Sequence, residues 1–504
     1  MKIPVKTILF FVLVFAALFA LQYSPETFGD PDGFYHVKVA ELLGQGEILH
    51  SFKWLTVSTW EHRFADQHFL YHLLLIPFIH FHPIIGAQVL NALLVTAVAV
   101  IFFLILKHLQ VTHKYFWTIA FLFFSQGFLM RMLFIKAVPL GLLLMFLSLF
   151  FLLQRKPMAL FFSSLLFILS YGGFIFVSVL LVVQTVASFL TKNKPCYQEF
   201  IFSLLGLGAG LLLHPGQDSL LYHMYNQVFR AGLGYVVPVG GEWGSPKILD
   251  FLSGNILILL LWLTGLVVLI EQWKKKLGLK NLIFLALTSG FFFLLTTKSQ
   301  RFIEYWVPFA VLFSAASLKE VVIFKTWIER FRKKMKNGFL STTPVILAFS
   351  CLGLVLVYTT LRTSDIARHN VRITDYKKPM EALKNSSSEN SIVFNTRWDH
   401  FPMLFYLNSH NRYITGMDPM FTYSENPDKY WLWYHISNDE SFTCSTRECL
   451  NQKEILASIQ EDFDAEYIFL ENTDSPNLKN YLEENSRVKK IYADDFSSVY
   501  EILK

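Results

Sequence analysis

The chain has 504 residues, of which 53% are hydrophobic and only 16% are charged. Soluble domains carry about 25% charged residues, so this composition excludes an ordinary soluble enzyme and predicts a polytopic α-helical membrane protein. The net charge of +6 does not indicate a nucleic-acid partner, because the basic residues form short clusters between apolar runs. Four cysteines are too few for a disulfide framework, and pairing of Cys444 with Cys449 stays open.

Hydropathy predicts about eleven transmembrane helices in residues 1–361, which we interpret as one membrane domain. The predicted spans are Val5–Gln22, Ile84–Leu106, Tyr115–Met130, Ala137–Leu153, Pro157–Ser170, Phe174–Leu190, Phe200–Leu213, Asn255–Ile270, Asn281–Thr296, Ile303–Leu318 and Pro344–Thr360. The apolar run from residue 157 to residue 190 is divided into two helices because Tyr171, Gly172 and Gly173 interrupt it.

The distribution of lysine and arginine predicts the orientation in the membrane. Dense basic clusters fall on alternate loops, at residues 107–114, 155–156, 192–194, 274–280 and 330–336. By the positive-inside rule these loops and the N-terminus are cytoplasmic. The long first loop, residues 23–83, and the tail after residue 361 are then extracytoplasmic. We therefore expect a multi-pass protein of the plasma (inner) membrane.

Residues 362–504 change character and predict a C-terminal extracytoplasmic α/β domain, because short β-type runs alternate with helical patterns. The predicted strands are Ser391–Asn395, Arg412–Thr415, Tyr467–Leu470, Val488–Tyr492 and Ser498–Ile502. The predicted helices are Tyr376–Lys384, His400–Leu407, Glu454–Asp462 and Asn477–Glu484.

Two carboxylates stand at the beginning of the first outer loop, in the stretch GDPDGFYHVK. Asp30 and Asp32 flank Pro31, and His36 follows one helical turn after Asp32. Paired carboxylates can hold a divalent cation or act as a general base. The alternative is that Asp32 caps the helix that follows, for which the amphipathic spacing of Tyr35–Leu43 predicts a position along the membrane surface.

The segment DGFYHVK resembles the first outer-loop motif of the oligosaccharyltransferase family that includes AglB and PglB. More broadly, the chain resembles the GT-C glycosyltransferases, which are polytopic enzymes that use polyprenyl-phosphate or -diphosphate sugar donors. The resemblance implies that Asp32 is the catalytic, metal-contacting acid, with Asp30 in support. It also implies a divalent metal, Mg²⁺ or Mn²⁺, as the cofactor.

Further candidates lie in the outer loops. In Trp60–His72, Asp66 and His68 could bind metal or substrate, or the histidines could simply be hydrogen-bonded in an interfacial loop. In the segment KSQRFIEYWVPF, Arg301 suits a donor phosphate, because a guanidinium binds phosphate oxygens in pairs. Lys298 could assist Arg301, and Arg131 and Lys136 are weaker candidates for the same role. The alternative is that Arg301 and Glu304 are snorkelling anchors at the membrane boundary.

Two shorter matches complete the resemblance. Glu242, in GGEWGSP, is similar to the glutamate that contacts metal and acceptor in the oligosaccharyltransferase family, which adds it to Asp32 and Asp30 as a metal candidate. Trp398 and Asp399 resemble part of the WWDYG motif that recognises the acceptor. The chain departs from the family in having no acid in residues 125–136, where the family has a second metal-binding carboxylate.

The sequence therefore favours an inverting GT-C-type glycosyltransferase of the cell envelope. It would move a sugar or oligosaccharide from a polyprenyl-linked donor, among membrane lipids, to a glycan, lipid or protein acceptor on the extracytoplasmic face. Asp32 would be the general base and Arg301 would stabilise the leaving phosphate. The alternative is a transporter or flippase for lipid-linked glycans or other lipids, for which charges in the middle of the membrane and broken helices would be expected.

Overall fold

A computed structural model describes residues 4–234, 236–274, 279–319, 343–440 and 452–503 of the chain. The predicted basic cluster at residues 330–336 and the Cys444 and Cys449 pair lie outside the described residues. The fold divides into two compact units. The first, here called the helical unit, comprises Met1–Tyr23, Gln88–Leu212 and Glu242–Arg368, and the second, the sheet unit, comprises Ser24–Ala87, Leu213–Gly241 and His369–Lys504.

Every predicted span is helical. The helices that lie wholly or mainly in the helical unit are Val5–Gln22, Pro83–His108, Lys114–Phe123, Gln126–Leu133, Val138–Leu153, Pro157–Ile168, Ile175–Leu190, Tyr197–Leu213, Ile248–Lys274, Lys280–Lys298, Ile303–Leu318 and Thr343–His369. The predicted interruption at residues 171–173 is confirmed, because a 3₁₀ turn, Gly172–Phe174, separates two of these helices.

Within the part of the chain that the structure describes, fewer than eleven helices are long and apolar enough to cross a membrane alone. Among the described residues, five helices have the length and apolar composition of a span, or seven if each of two bent pairs is one span. The pairs bend by 80° between Lys114–Phe123 and Gln126–Leu133, and by 116° after Tyr197–Leu213. Of the other predicted spans, Val138–Leu153, Pro157–Ile168 and Ile303–Leu318 are shorter helices, and Ile303–Leu318 is buried by protein along almost its whole length. Apolar composition alone does not separate such buried helices from lipid-facing ones.

The tail of the chain forms the predicted α/β domain within the sheet unit, and all five strands are confirmed. The strands are β1 Ile392–Asn395, β2 Arg412–Tyr413, β3 Tyr467–Glu471, β4 Val488–Ala493 and β5 Ser497–Ile502. Their order is β2-β1-β3-β5-β4, with β1 parallel to β2 and β3, and β5 antiparallel to β3 and β4. The carboxyl ends of β1 and β3 therefore lie at the same edge of the sheet.

The helices of the sheet unit include all four that the tail predicts. They are Asp32–Gly44, Phe69–Ile79, Gln217–Tyr225, a π-helix Asn226–Gly234, Ile373–Ser386, Phe401–Leu407, Pro419–Glu425, Pro427–Ser437, Gln452–Glu461 and Pro476–Glu484. The tail helices Pro419–Glu425 and Pro427–Ser437 were not predicted from the sequence. Their signal is an N-cap followed by proline at the first helical position, since the side chains of Asp418 and Asn426 accept hydrogen bonds from the helix starts.

The first outer loop folds onto the tail domain. Leu55 forms a parallel bridge with Tyr413 of β2, supported by hydrogen bonds from Thr56 N to Tyr413 O at 2.9 Å and from Tyr413 N to Trp54 O at 2.8 Å. The helix Asp32–Gly44 exposes only its last residue. Phe34 and Tyr35 of this helix pack against aromatic side chains of the same unit, including Phe28, Phe52 and Phe405. Most of the helix is thus buried in protein, and its predicted position along the membrane surface stays a prediction.

Candidate active site

A cluster of charged side chains in the helical unit contains two of the predicted donor-binding residues. Arg131 lies in the last turn of Gln126–Leu133, and its Nη2 and Nε donate to Glu304 Oε2 at 2.9 and 3.2 Å. Its Nη1 donates to Glu242 Oε2. Arg301 Nη1 lies 3.3 Å from Glu242 Oε1. The structure thus brings Arg131, Arg301 and Glu242 together and adds Glu304, which was not predicted as a site residue.

Burial divides this cluster into an inner pair and an outer pair. The side chains of Arg131 and Glu304 are 8% and 2% exposed, whereas those of Arg301 and Glu242 are 21% and 32% exposed. A buried ion pair needs both partners, because either charge left alone is strongly destabilising. We therefore interpret the inner pair as structural, and the outer pair as the part that a ligand can reach.

Local structure holds Arg301 in place. Its 3₁₀ turn, Gln300–Phe302, follows directly after the helix Lys280–Lys298, and its guanidinium stacks 4.4 Å from the ring centre of Trp243. Arg301 Nη2 also donates to Tyr171 Oη at 3.4 Å, while Tyr171 Oη donates to Glu304 Oε1 at 2.9 Å. Lys298 is exposed at the end of its helix, where its backbone carbonyl accepts a hydrogen bond from Ser245.

The electrostatics keep the outer pair charged. Burial alone would raise the pKa of the Glu242 carboxyl, but the charges of Arg131 and Arg301 hold that pKa well below its usual range. Burial alone would likewise lower the pKa of Arg301. The nearby Glu242 and Tyr171 outweigh this effect, so the pKa of Arg301 is raised. Both carboxylate oxygens of Glu242 face arginines, so its surroundings are those of an ion pair and not those of a metal ligand.

In the sheet unit, Asp30 and Asp32 take different positions at the start of one helix. Asp32 is the first residue of Asp32–Gly44, and its backbone N–H donates to Asp30 Oδ1 at 3.0 Å. Asp30 thus accepts a hydrogen bond from a backbone N–H group at the start of the helix. This is the capping role that was the predicted alternative for Asp32. The residues just before this helix contact the tail domain, since Asn370 Nδ2 donates a hydrogen bond to Gly29 O at 3.0 Å.

A chain of buried hydrogen bonds links the other first-loop candidates. His72 Nδ1 donates to Asp66 Oδ2 at 2.6 Å, and His36 Nδ1 and His72 Nε2 share a hydrogen bond of 2.8 Å. His68 packs edge-on against the His36 ring, with 5.1 Å between ring centres, and its backbone N–H donates to Asp66 Oδ1. Burial alone would raise the pKa of the Asp66 carboxyl, but His72 and His68 hold it below its usual value.

The loop after β1 carries the predicted acceptor-binding residues. Asp399 accepts hydrogen bonds from Arg397 Nε and Nη2 at 3.0 and 2.8 Å, and Trp398 faces Gly240. His400, the next residue, is buried with its Nε2 3.0 Å from Glu471 Oε1 at the end of β3. Burial lowers the pKa of the His400 imidazole to about 4 and raises the pKa of the Glu471 carboxyl to about 7.

A metal-ligand group exists in this loop region. Atoms of His400, Glu471 and Asp474 that can bind metal lie within 4.8 Å of one another, and among the described residues this is the one such group of three. The sequence prediction placed the metal at Asp30, Asp32 and Glu242 instead. A signal for the observed group was available, because the three residues follow or end two predicted strands, and neighbouring parallel strands present their carboxyl ends at one edge.

Comparisons with known proteins agree with this architecture. No protein-family model and no curated protein matches the sequence. The fold is similar to that of the Archaeoglobus fulgidus oligosaccharyltransferase tethered with an acceptor peptide containing the NVT sequon, with a TM-score of 0.62 and 11% identity over 99% of this chain and 74% of that chain. The same enzyme is also known in complex with Zn and sulfate.

Two further structures are similar over almost the whole chain. ArnT from Cupriavidus metallidurans bound to undecaprenyl phosphate has a TM-score of 0.57 and 12% identity, over 98% of this chain and 97% of that chain. The arabinofuranosyltransferase AftD from Mycobacteria has a TM-score of 0.58 and 12% identity, over 100% of this chain and 40% of that chain. At such low sequence identities, the structural similarity shows only that the folds are alike. The chain therefore has the fold of the GT-C membrane glycosyltransferases, as predicted, and is a multi-pass membrane protein.

Proposed function

We propose that this protein is a GT-C-type glycosyltransferase that moves a sugar or oligosaccharide from a polyprenyl-phosphate or -diphosphate donor to an acceptor on the extracytoplasmic face. The observation that carries the proposal is the outer pair, Arg301 with Glu242, within this fold. Arg301 is a fixed cation that a ligand can reach, and ArnT, which shares the fold, has been observed with undecaprenyl phosphate.

Arg301 is assigned to the donor phosphate. Its planar guanidinium can donate two parallel hydrogen bonds to phosphate oxygens, and its contacts with Trp243 and Tyr171 restrain it before the donor binds. A phosphate would replace the Glu242 carboxylate beside Arg301 Nη1. Arg131 supports the site indirectly, because Glu304 already satisfies its Nε and Nη2. Exposed Lys298 can add charge beside the phosphate.

Asp32 is assigned to the acceptor. It would take the proton from the acceptor nucleophile, whose lone pair then forms a bond to the anomeric carbon of the sugar. The bond from that carbon to the phosphate oxygen breaks, and the electron pair leaves with the phosphate, where Arg301 stabilises the charge. A single displacement of this kind inverts the anomeric centre. Trp398 and Asp399 remain candidates for acceptor recognition, and Asp30 supports the start of the helix.

The predicted Mg²⁺ or Mn²⁺ ion does not enter this step. Asp30 Oδ1 accepts a backbone hydrogen bond, and both oxygens of Glu242 face arginines. Among the residues that the structure describes, no third His, Cys, Asp or Glu completes a ligand group with Asp30 and Asp32. The donor set therefore does not fit the proposed ion, and we assign the leaving-group charge to Arg301.

The alternative, a transporter or flippase of lipid-linked material, draws on the two sharply bent helix pairs, because discontinuous helices are typical of transporters. The two proposals differ in chemistry. A transferase cleaves the donor and modifies an acceptor, whereas a flippase leaves both unchanged.

The test is mass spectrometry of cell-surface glycolipids and glycoproteins from a strain that lacks the protein, complemented with the wild type, Asp32→Asn or Arg301→Gln. We expect a sugar modification to disappear in the deletion strain and in both variants, and to return with the wild type. Removal of one charge-stabilising donor lowers turnover by about 10²- to 10³-fold.

Matched controls are Asp428→Asn and Arg155→Gln, which remove exposed or peripheral charges outside the proposed site. Both should restore the modification, provided that immunoblots show equal amounts of all variants in the membrane. Full modification by Asp32→Asn and Arg301→Gln would reject the proposed site, and an unchanged glycan profile in the deletion strain would reject the proposed function.

A further inference from the structure

We propose that the carboxyl edge of the sheet holds a divalent transition-metal ion, Zn²⁺ in the first instance, bound by His400, Glu471 and Asp474. His400 Nε2 lies 3.0 Å from Glu471 Oε1 and 3.7 Å from Asp474 Oδ2. Ligand atoms about 2.1 Å from a common ion, at the angles of a tetrahedral or octahedral site, lie about 3.0 to 3.4 Å apart. The distance between Nε2 and Oε1 falls in this range and the distance between Nε2 and Oδ2 slightly exceeds it, so a small shift of the Asp474 carboxylate would let all three side chains bind one ion.

The position of the group in the fold favours a ligand site. Glu471 is the last residue of β3 and Asp474 follows it, while His400 follows the end of β1, the parallel neighbour of β3. Parallel sheets bind ligands in the crevice outside the carboxyl ends of their strands. The chain therefore collects an imidazole and two carboxylates at the edge where α/β domains place their ligands.

Buried polar atoms in the group lack hydrogen bonds within the described structure. Asp474 Oδ2 is inaccessible to solvent and has no hydrogen-bond donor, and the same is true of His400 Nδ1. The His400 side chain is 9% exposed and directs its Nε2 towards both carboxylates. Buried polar atoms are normally satisfied, and an unsatisfied one calls for an unseen ion or water. A cation between Nε2 and Oδ2 would satisfy the carboxylate.

Residues around His400, Glu471 and Asp474 hold these side chains in place, as the residues around a metal site usually hold its ligands. Tyr376 Oη donates to Glu471 Oε1. Arg397 is held by Asp399 at 2.8 Å and lies 3.9 Å from Asp474, so its charge is mainly compensated elsewhere. Hydrogen bonds from outer residues fix the orientation of ligating carboxylates.

The donor set selects the class of ion. Mg²⁺ and Ca²⁺ prefer sites made of oxygen ligands, whereas an imidazole with carboxylates suits Zn²⁺ and other first-row transition metals. Three protein ligands leave at least one coordination position for water or a bound group. The ion would also connect the loop that carries Trp398 and Asp399 to the end of β3.

The test measures metal binding by the purified full-length protein in detergent, without a polyhistidine tag. After chelation and dialysis, Zn²⁺ content is measured by mass spectrometry and affinity by competition with a chromogenic chelator. We expect one tightly bound Zn²⁺ per chain, and at least a 100-fold weaker affinity in His400→Gln and Asp474→Asn. Bound Co²⁺ should show the visible absorption of a site with mixed nitrogen and oxygen ligands.

The matched control is His435→Gln, since His435 forms a similar contact with Glu440 at 2.7 Å in the same unit. It should bind Zn²⁺ as the wild type does. If the ligand variants do not fold, Tyr376→Phe removes only the outer hydrogen bond and should weaken affinity by about 10- to 100-fold. Substoichiometric binding by the wild type, or wild-type affinity in His400→Gln, would overturn the proposal. Because the readout is metal binding and not sugar transfer, its failure leaves the proposed function untouched.

Discussion

The carboxylate of Glu242 lies 3.3 Å from the guanidinium of Arg301, the cation to which we assign the donor phosphate. The protein thus carries its own anion at the proposed donor site. Both charges persist over the physiological pH range, because the pKa of Glu242 is depressed and that of Arg301 is raised. A donor must therefore compete with Glu242, and this competition can be measured.

Glu242→Gln should tighten the binding of a polyprenyl phosphate. Removal of a carboxylate charge beside Arg301 relieves about 1 kcal/mol of competition in a solvent-accessible site, which corresponds to about a fivefold lower Kd. Binding of undecaprenyl phosphate to the purified protein, followed by microscale thermophoresis, checks this. Glu199→Gln changes another arginine–glutamate pair, that of Arg155 with Glu199 at the start of the helix Tyr197–Leu213, and should leave the Kd unchanged. A weaker Kd in Glu242→Gln would show that the carboxylate assists donor binding instead.

Glu304→Gln should destabilise the protein by roughly 3 kcal/mol or more. The substitution leaves the buried guanidinium of Arg131 with an uncharged partner, and breaking one side of a buried pair typically costs about 3 to 5 kcal/mol. Unfolding in detergent, followed by fluorescence, measures the change. Lys489→Gln is the control, because the exposed pair of Lys489 with Glu501 should contribute less than about 1 kcal/mol. Equal effects of the two substitutions would contradict the structural role of the inner pair.

Asp66 should make the stability depend on pH in the acidic range. Its folded-state pKa is depressed, so its contribution is complete above the unfolded pKa of about 3.9 and is lost as the pH falls through the lower folded value. Asp66→Asn should be less stable than the wild type at pH 7, and the difference should shrink as the pH is lowered below about 4. Thermal unfolding between neutral and acidic pH provides the measurement. A constant difference over the whole range would contradict this assignment.

Gly173→Ala should disturb the turn that presents Tyr171 to Arg301. A Cβ atom at position 173 would lie 2.2 Å from Tyr305 Oη and 3.0 Å from the Tyr171 ring, so these side chains would have to move. We expect a lower melting temperature and weaker donor binding. In the control, Gly290→Ala, the new methyl group meets no atom within 4 Å, and stability should be unchanged or higher by about 0.5 to 1 kcal/mol. If both variants have the same melting temperature and the same donor affinity, the close approach of the Tyr305 and Tyr171 side chains to Gly173 affects neither stability nor binding.

Local pattern was sufficient to predict most of the fold. Every span that long apolar runs predicted is helical, and alternation of strand and helix patterns predicted all five strands of the tail, because both signals depend on neighbouring residues. Membrane-span length was harder to predict. The helix Ile303–Leu318 is as apolar as a span, yet protein covers it on almost all sides.

The candidate sites were predictable only in part, because their contacts join distant parts of the chain. Arg301 was identified from its residue type and Glu242 from the resemblance to the oligosaccharyltransferase family, but their mutual contact was not predicted. Glu304 is 173 residues away from Arg131, and no local pattern connects them. The same holds for His400 with Glu471, whose common position depends on the parallel pairing of β1 and β3.

The bridge between Leu55 and β2 bears on the order in which the chain can fold. Thr56 and Tyr413 are 357 residues apart, so at about 5 to 20 residues per second the partner strand is synthesised roughly 20 to 70 seconds after the first loop. During that interval the backbone of residues 54–57 has no sheet to join. The first loop must therefore remain unpaired until β2 has been made, and a truncation before β2 would deprive residues 54–57 of their partner strand.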